Sequence, residues 1–144
     1  MNYKPIIIVA GEPNSIFIEI FLKIIKKKKF KSPIILICSK NIFFKQAKKL
    51  KENININEID QNKLFSQNIK LQKINLINIE YKQKNAFQKI SSKSNKYIKQ
   101  SFDIGLKIMR QGISNKFING PISKEKFLKN KYIGVTEYLA KRTN

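Results

Sequence analysis

Three short stretches hold the residues whose types and spacing could do chemistry: GEPNS at 11–15, GPISKEKF at 120–127 and GVTEYLA at 134–140. In the second, Ser123 can cap a helix. The backbone amides of Ser123 and Lys124, with the Lys124 ammonium, could hold an anion at that helix N-terminus. The plainer alternative is a capped turn with a solvated lysine. GEPNS lacks the G-x-G-x-x-G spacing of a dinucleotide fingerprint and the G-K-[ST] of a P-loop. It reads either as a strand–turn–helix connection or as a ligand loop. In the third stretch Gly134 reads as a turn, Thr136 as a helix cap, and Glu137 to Ala140 as a first helical turn.

The missing residue types narrow the chemistry further. The 144-residue chain has no histidine and a single cysteine, Cys38. The commonest general base, the commonest metal ligand and any intrachain disulfide are therefore ruled out. No Cys/His cluster exists for zinc. Cys38 lies in the apolar run PIILICS and reads as a small buried hydrophobe rather than a reactive thiol. The net charge is +21, from 30 basic against 9 acidic residues. Such a balance suggests a polyanion partner. Two features argue against dedicated nucleic-acid binding. Lysine is spread from Lys4 to Lys141, and only Arg110 and Arg142 offer the guanidinium fork used on bases and phosphates. No apolar run approaches the ~18–20 residues of a membrane span, and Ile6 to Ala10 is too short for a secretory signal core. A cytoplasmic protein is expected.

These stretches need elements to position them. Pro5–Ala10 and Pro33–Ser39 read as buried strands, being short β-branched runs bounded by proline and polar residues. Asn14 or Ser15 should cap a helix over 16–25, buried on most sides with Glu19, Lys23 and Lys26 on one wet stripe. The run KKKKFK at 26–31 suits a solvated helix C-terminus, with a phosphate patch as the sharper alternative. Asn41 should cap a second helix through Phe43, Ala47 and Leu50. Ile54 and Ile56 suit a short strand, the rest of 51–69 a loop, and 74–79 another strand. The Asn/Lys/Gln-rich segment 82–96 reads as a low-complexity connection. Tyr97 to Ile113 is an amphipathic helix with Gly112 near its end. Phe117–Asn119 is a short strand. Alternation of strands and helices argues one α/β domain over 1–144, a mainly parallel sheet with flanking helices. Ligands of such sheets sit beyond the carboxyl ends of the strands. The loops Gly11–Ser15 and Gly120–Lys124 stand out for that reason.

Taken in order, the motifs resemble one family, the NAD-dependent 4-hydroxythreonine-4-phosphate dehydrogenases of pyridoxal phosphate (vitamin B6) biosynthesis. Gly11-Glu12-Pro13, Ile16, Glu19, Pro121, Lys124, Gly134, Thr136, Glu137 and Tyr138 carry the resemblance. It covers essentially the whole chain but only the N-terminal part of the family's length. It implies a fold of the isocitrate/isopropylmalate dehydrogenase type, incomplete here. It also implies oxidation of 4-phosphooxy-L-threonine with NAD as hydride acceptor, a divalent metal, and a homodimer. Substrate contacts fall on Val135 and Thr136, with Lys124 as a further candidate. No residue of this chain is assigned to the cofactor or the metal.

The departures from the family pattern shape the expectation. Val135 stands where the family has histidine, so a polar substrate contact is lost. A partner group left unpaired there costs about 1–3 kcal/mol. Ser15, Phe17 and Ile18 replace Gly, Gly and Pro in the first loop. The family's three metal-binding histidines have no counterpart in these residues. A chain inactive by itself is expected. The alternatives are one half of a split enzyme, with a separate C-terminal half as partner, or a basic α/β module for nucleic acid or another polyanion.

Overall fold

The computed structural model describes residues 3–64 and 69–143. Residues 65–68, part of the stretch expected to be loop, lie outside the described residues. Among the described residues five parallel strands form one sheet: β1 (Ile6–Val9), β2 (Ile34–Cys38), β3 (Ile56–Glu58), β4 (Ile74–Asn78) and β5 (Lys116–Asn119), in the spatial order β3-β4-β2-β1-β5. Ile7 pairs with Ile35 on one side and with Phe117 on the other. The central strand β2 is buried along its whole length, which is why its sequence is an unbroken apolar run rather than an alternation.

Among the described residues four α-helices flank the sheet: α1 (Phe17–Lys27), α2 (Lys40–Lys49), α3 (Asn95–Arg110) and α4 (Val135–Thr143). Ile8, Leu36 and Leu76 turn to the face covered by α1 and α2. Ile7, Val9, Ile35, Ile37 and Ile77 turn to the other, where α3 and Tyr138 of α4 pack. Each such Ile or Leu contributes about 1.5–3 kcal/mol on burial. α4 lies along α3: Tyr138 meets Phe102 edge-on at 5.5 Å, and Arg142 pairs with Asp103. The start of α4 therefore points to the same sheet edge as the start of α3.

Several local expectations are corrected. α2 is capped by Ser39, whose hydroxyl accepts the Ile42 N–H at 3.3 Å, not by Asn41. α1 has Ile16 at its cap with no side-chain cap bond; Ser15 instead accepts the Phe17 N–H at 3.2 Å. α4 opens at Gly134, whose carbonyl accepts the Tyr138 N–H, while Glu137 reaches back to the Ile133 N–H at 2.7 Å. Thr136 is then the second helical residue and not the cap. α3 begins at Asn95 inside the expected connection and ends at Arg110, before Gly112 takes a left-handed conformation at φ 71°. α1 is not buried on most sides, because Ile16, Ile20 and Ile24 are 64%, 45% and 47% exposed.

Candidate functional site at the carboxyl edge of β1 and β5

β1 leads to α1 on one face of the sheet, and β5 leads to α4 on the other. The carboxyl ends of these adjacent strands are thus a topological switch point, the usual ligand position in an open parallel sheet. The two loops singled out in the sequence meet there. Gly120 donates its N–H to Val9 O at 2.7 Å, and Glu12 donates to Pro121 O at 2.8 Å. Both crossings need glycine. A Cβ on Gly120 would lie 2.0 Å from Ala10 O, and one on Gly11 would lie 2.4 Å from Pro121 O. Gly11 also has φ +75°, which L side chains rarely adopt.

Glu12 is 2% exposed, and its carboxylate is held by named donors. The Ser94 hydroxyl donates to Oε2 at 2.9 Å and the Asn14 N–H to Oε1 at 3.2 Å. Ser94 sits in a short helical turn, Ser92–Ser94, that leads into α3. Burial, and then the Glu12 charge, push the Tyr81 phenol above its ordinary value. Tyr97 is raised further, chiefly by burial and then by Cys38; its hydroxyl accepts the Ser39 N–H at 3.3 Å. Burial alone raises the Cys38 thiol, consistent with an inert core cysteine.

The segment read as a low-complexity connection is pinned here by side-chain amides. Asn14 and Gln83 exchange two hydrogen bonds, at 3.2 and 2.8 Å. Gln46 donates to Pro13 O at 2.6 Å and Ala86 O at 2.9 Å. Glu12, Ser94, Gln83 and Gln46 are the residues that sequence reasoning did not assign to the site. Glu12 alone carried a signal, as the acid of the GEP turn.

The predicted site residues divide. Lys124 is exposed and opens a five-residue π-helical turn, Lys124–Leu128, capped by Ser123 through the Lys126 N–H at 3.1 Å. Asn95 ties that turn to α3 by donating to Lys126 O at 2.7 Å. Thr136 is exposed, and its hydroxyl has no hydrogen bond among the described residues. Val135 packs half-buried against the core cluster of Phe102 and Tyr138, an environment that suits an apolar side chain. No hydrogen bond or ion pair among the described residues joins Lys124 or Thr136 to the Glu12 loop.

The family model for the pyridoxal phosphate biosynthetic protein PdxA matches residues 29–144. The chain belongs to this family. The matched range takes in the GPISKEKF and GVTEYLA motifs; the GEPNS loop precedes it. Solved structures share the fold, three of them as follows. A Salmonella typhimurium protein assigned as a 4-hydroxythreonine-4-phosphate dehydrogenase superposes with a TM-score of 0.80 at 18% identity, over 97% of this chain and 44% of that one. The 4-hydroxythreonine-4-phosphate dehydrogenases of Burkholderia phymatum and Klebsiella pneumoniae give TM-scores of 0.77 and 0.76, each at 17% identity. They cover 98% and 96% of this chain and 44% of theirs. The chain thus spans under half the length of the family structures it matches. No curated protein sequence matches it.

The divalent metal that the family resemblance implies does not fit these residues. Among the described residues no three His, Cys, Asp or Glu side chains converge. The chain has no histidine, and Cys38 is buried with its thiol held protonated. No helix among the described residues is long and apolar enough to cross a membrane.

Proposed function

We propose that this protein is 4-hydroxythreonine-4-phosphate dehydrogenase-like. It forms part of a site for NAD-dependent oxidation of 4-phosphooxy-L-threonine in pyridoxal phosphate biosynthesis, and these 144 residues alone do not complete the reaction. The observation that carries this reading is the meeting of the two motif loops at the switch point of β1 and β5, within a chain of this family. The free Thr136 hydroxyl supplies a hydrogen bond to the substrate, and the exposed Lys124 ammonium faces its phosphate charge. Val135 supplies none, being engaged with the core. NAD, when bound, supplies the hydride acceptor. The metal has no ligand set here, so no step is assigned to one.

Calorimetric titration of 4-phosphooxy-L-threonine into the purified protein tests the Thr136 role. Thr136→Ala removes one hydrogen bond, about 0.5–1.5 kcal/mol, and weakens binding up to about ten-fold. Val135→His restores a polar partner and tightens it. Equal affinity in all three proteins would dismiss the assignment.

A further inference from the structure

The amide ties that pin the segment after β4 hold it alongside α2. Two adjoining hollows open there, of about 490 and 830 Å³. Lys45 and Lys48 line both. Lys40, Lys82 and Phe44 add to the first; Lys49, Lys51, Lys84 and Phe87 add to the second. Among the described residues the one acid lining either hollow is Glu80, which pairs with Lys82 at 3.1 Å. Lys40 pairs with Glu58. Lys45, Lys48, Lys49, Lys51 and Lys84 form no ion pair among the described residues.

This surface is held in place before any ligand arrives. The Lys45 ammonium donates to Gln83 O and, at 3.3 Å, to Lys84 O, which leaves its third N–H uncommitted among the described residues. Phe44 is 37% exposed and meets the fully buried Phe43 edge-on at 5.7 Å. Phe87 is 39% exposed and lies between two tied neighbours. The Ala86 carbonyl accepts from Gln46, and the Gln88 N–H donates to Asn14 at 2.8 Å. The sequence hides the arrangement, because Lys45 and Gln83 are 38 residues apart. Lysine that is spread along the chain is gathered here by the fold.

We infer that this groove binds single-stranded nucleic acid without sequence preference. The lysines neutralise phosphates, and bases stack on Phe44 and Phe87. An acidic peptide would meet the charge but leave the two rings unused. A duplex keeps its base faces stacked inside, and a bilayer surface is too flat to enter the hollows. No arginine lines the groove among the described residues, which accords with phosphate contact without readout of base edges. The groove uses none of Lys124, Val135 and Thr136, so it stands apart from the proposed function.

The test is fluorescence anisotropy of a labelled oligothymidylate titrated with the purified 144-residue protein. The expected Kd is about 1–100 μM at physiological salt, weakening steeply as salt rises. Phe44→Ala and Phe87→Ala change no charge. Each should weaken binding at least about five-fold with the salt slope unaltered. Lys48→Gln combined with Lys49→Gln should weaken binding and lower the salt slope by about 1–2. Lys129→Gln combined with Lys131→Gln removes the same charge outside the groove and should leave binding within about two-fold of the parent. Circular dichroism checks that each variant is folded. Loss of binding in the lysine pair with no effect of either phenylalanine would overturn the inference in favour of a general polyanion surface. Equal weakening by the two lysine pairs would overturn it in favour of net charge alone. No binding, tighter binding to the duplex, or tighter binding to polyglutamate or to vesicles of anionic lipid would overturn it as well.

Discussion

Replacing Gly11 by alanine probes the crossing of the two motif loops. The new Cβ would lie 2.4 Å from Pro121 O and 2.9 Å from Gly120 O. Pro121 O accepts the Glu12 N–H at 2.8 Å, so it cannot withdraw without breaking that bond. The left-handed backbone costs an L residue about 1–2 kcal/mol. A buried amide left without its acceptor adds about 1–3 kcal/mol. The sum is about 2–5 kcal/mol, a large part of the stability of a domain this size. Gly112 is the internal control: its φ is +71°, but a Cβ there meets nothing within 4 Å. Gly112→Ala should cost only the backbone part, about 1–2 kcal/mol. Urea unfolding followed by circular dichroism gives both values from the shift in midpoint at constant slope. Equal midpoint shifts for the two variants would refute the claim that the loops are locked by close backbone approach.

Two further predictions follow from the core. Phe102 is fully buried and stacks with Phe117 and Phe127, both at 6.3 Å, besides meeting Tyr138. Phe102→Ala should cost about 3–5 kcal/mol in the same urea assay, and a loss below about 1 kcal/mol would contradict the packing of α3 and α4. The thiol of Cys38 is raised above its ordinary 9.0, so the folded state holds its proton more tightly than the unfolded state does. Stability from this group is full below pH 9 and declines as pH rises above it, by about 1.4 kcal/mol per pH unit. Tyr97 and Tyr138 steepen the decline above pH 10, Tyr138 being pushed up to about 12 by burial and then by Tyr132. Cys38→Ala should flatten the profile between pH 9 and 10, and an unchanged slope there would exclude the thiol as its source.

Much of this architecture is legible in the sequence because local pattern and tertiary role agree. PIILICS reads as a buried strand because β2 is covered on both faces. The three-and-four spacing from Ile98 to Met109 reads as α3 because only one side meets the sheet. The glycines of both motif loops are visible, but not that each is needed by the other loop's carbonyl, more than a hundred residues away. The amide ties among Asn14, Gln46 and Gln83 escape reading for the same reason. An Asn/Gln-rich segment looks unstructured until its partners in space are known. α1 misleads in the opposite sense. A helix apolar nearly all round implies burial, yet its stripe through Ile20 finds no cover among these residues. The Gly134 cap is missed because Thr136 is the stronger capping residue by type, whereas Glu137 at the third helical position decides the start by reaching Ile133.

Turnover by the purified 144-residue protein tests the central claim most directly. The protein, once checked for cooperative unfolding in urea, is mixed with 4-phosphooxy-L-threonine, NAD and a divalent metal ion, and absorbance of NADH is followed. The account predicts no NADH above a protein-free control, because these residues offer no metal ligand set and Val135 gives no polar contact. Metal-dependent NADH formation by this chain alone would contradict it.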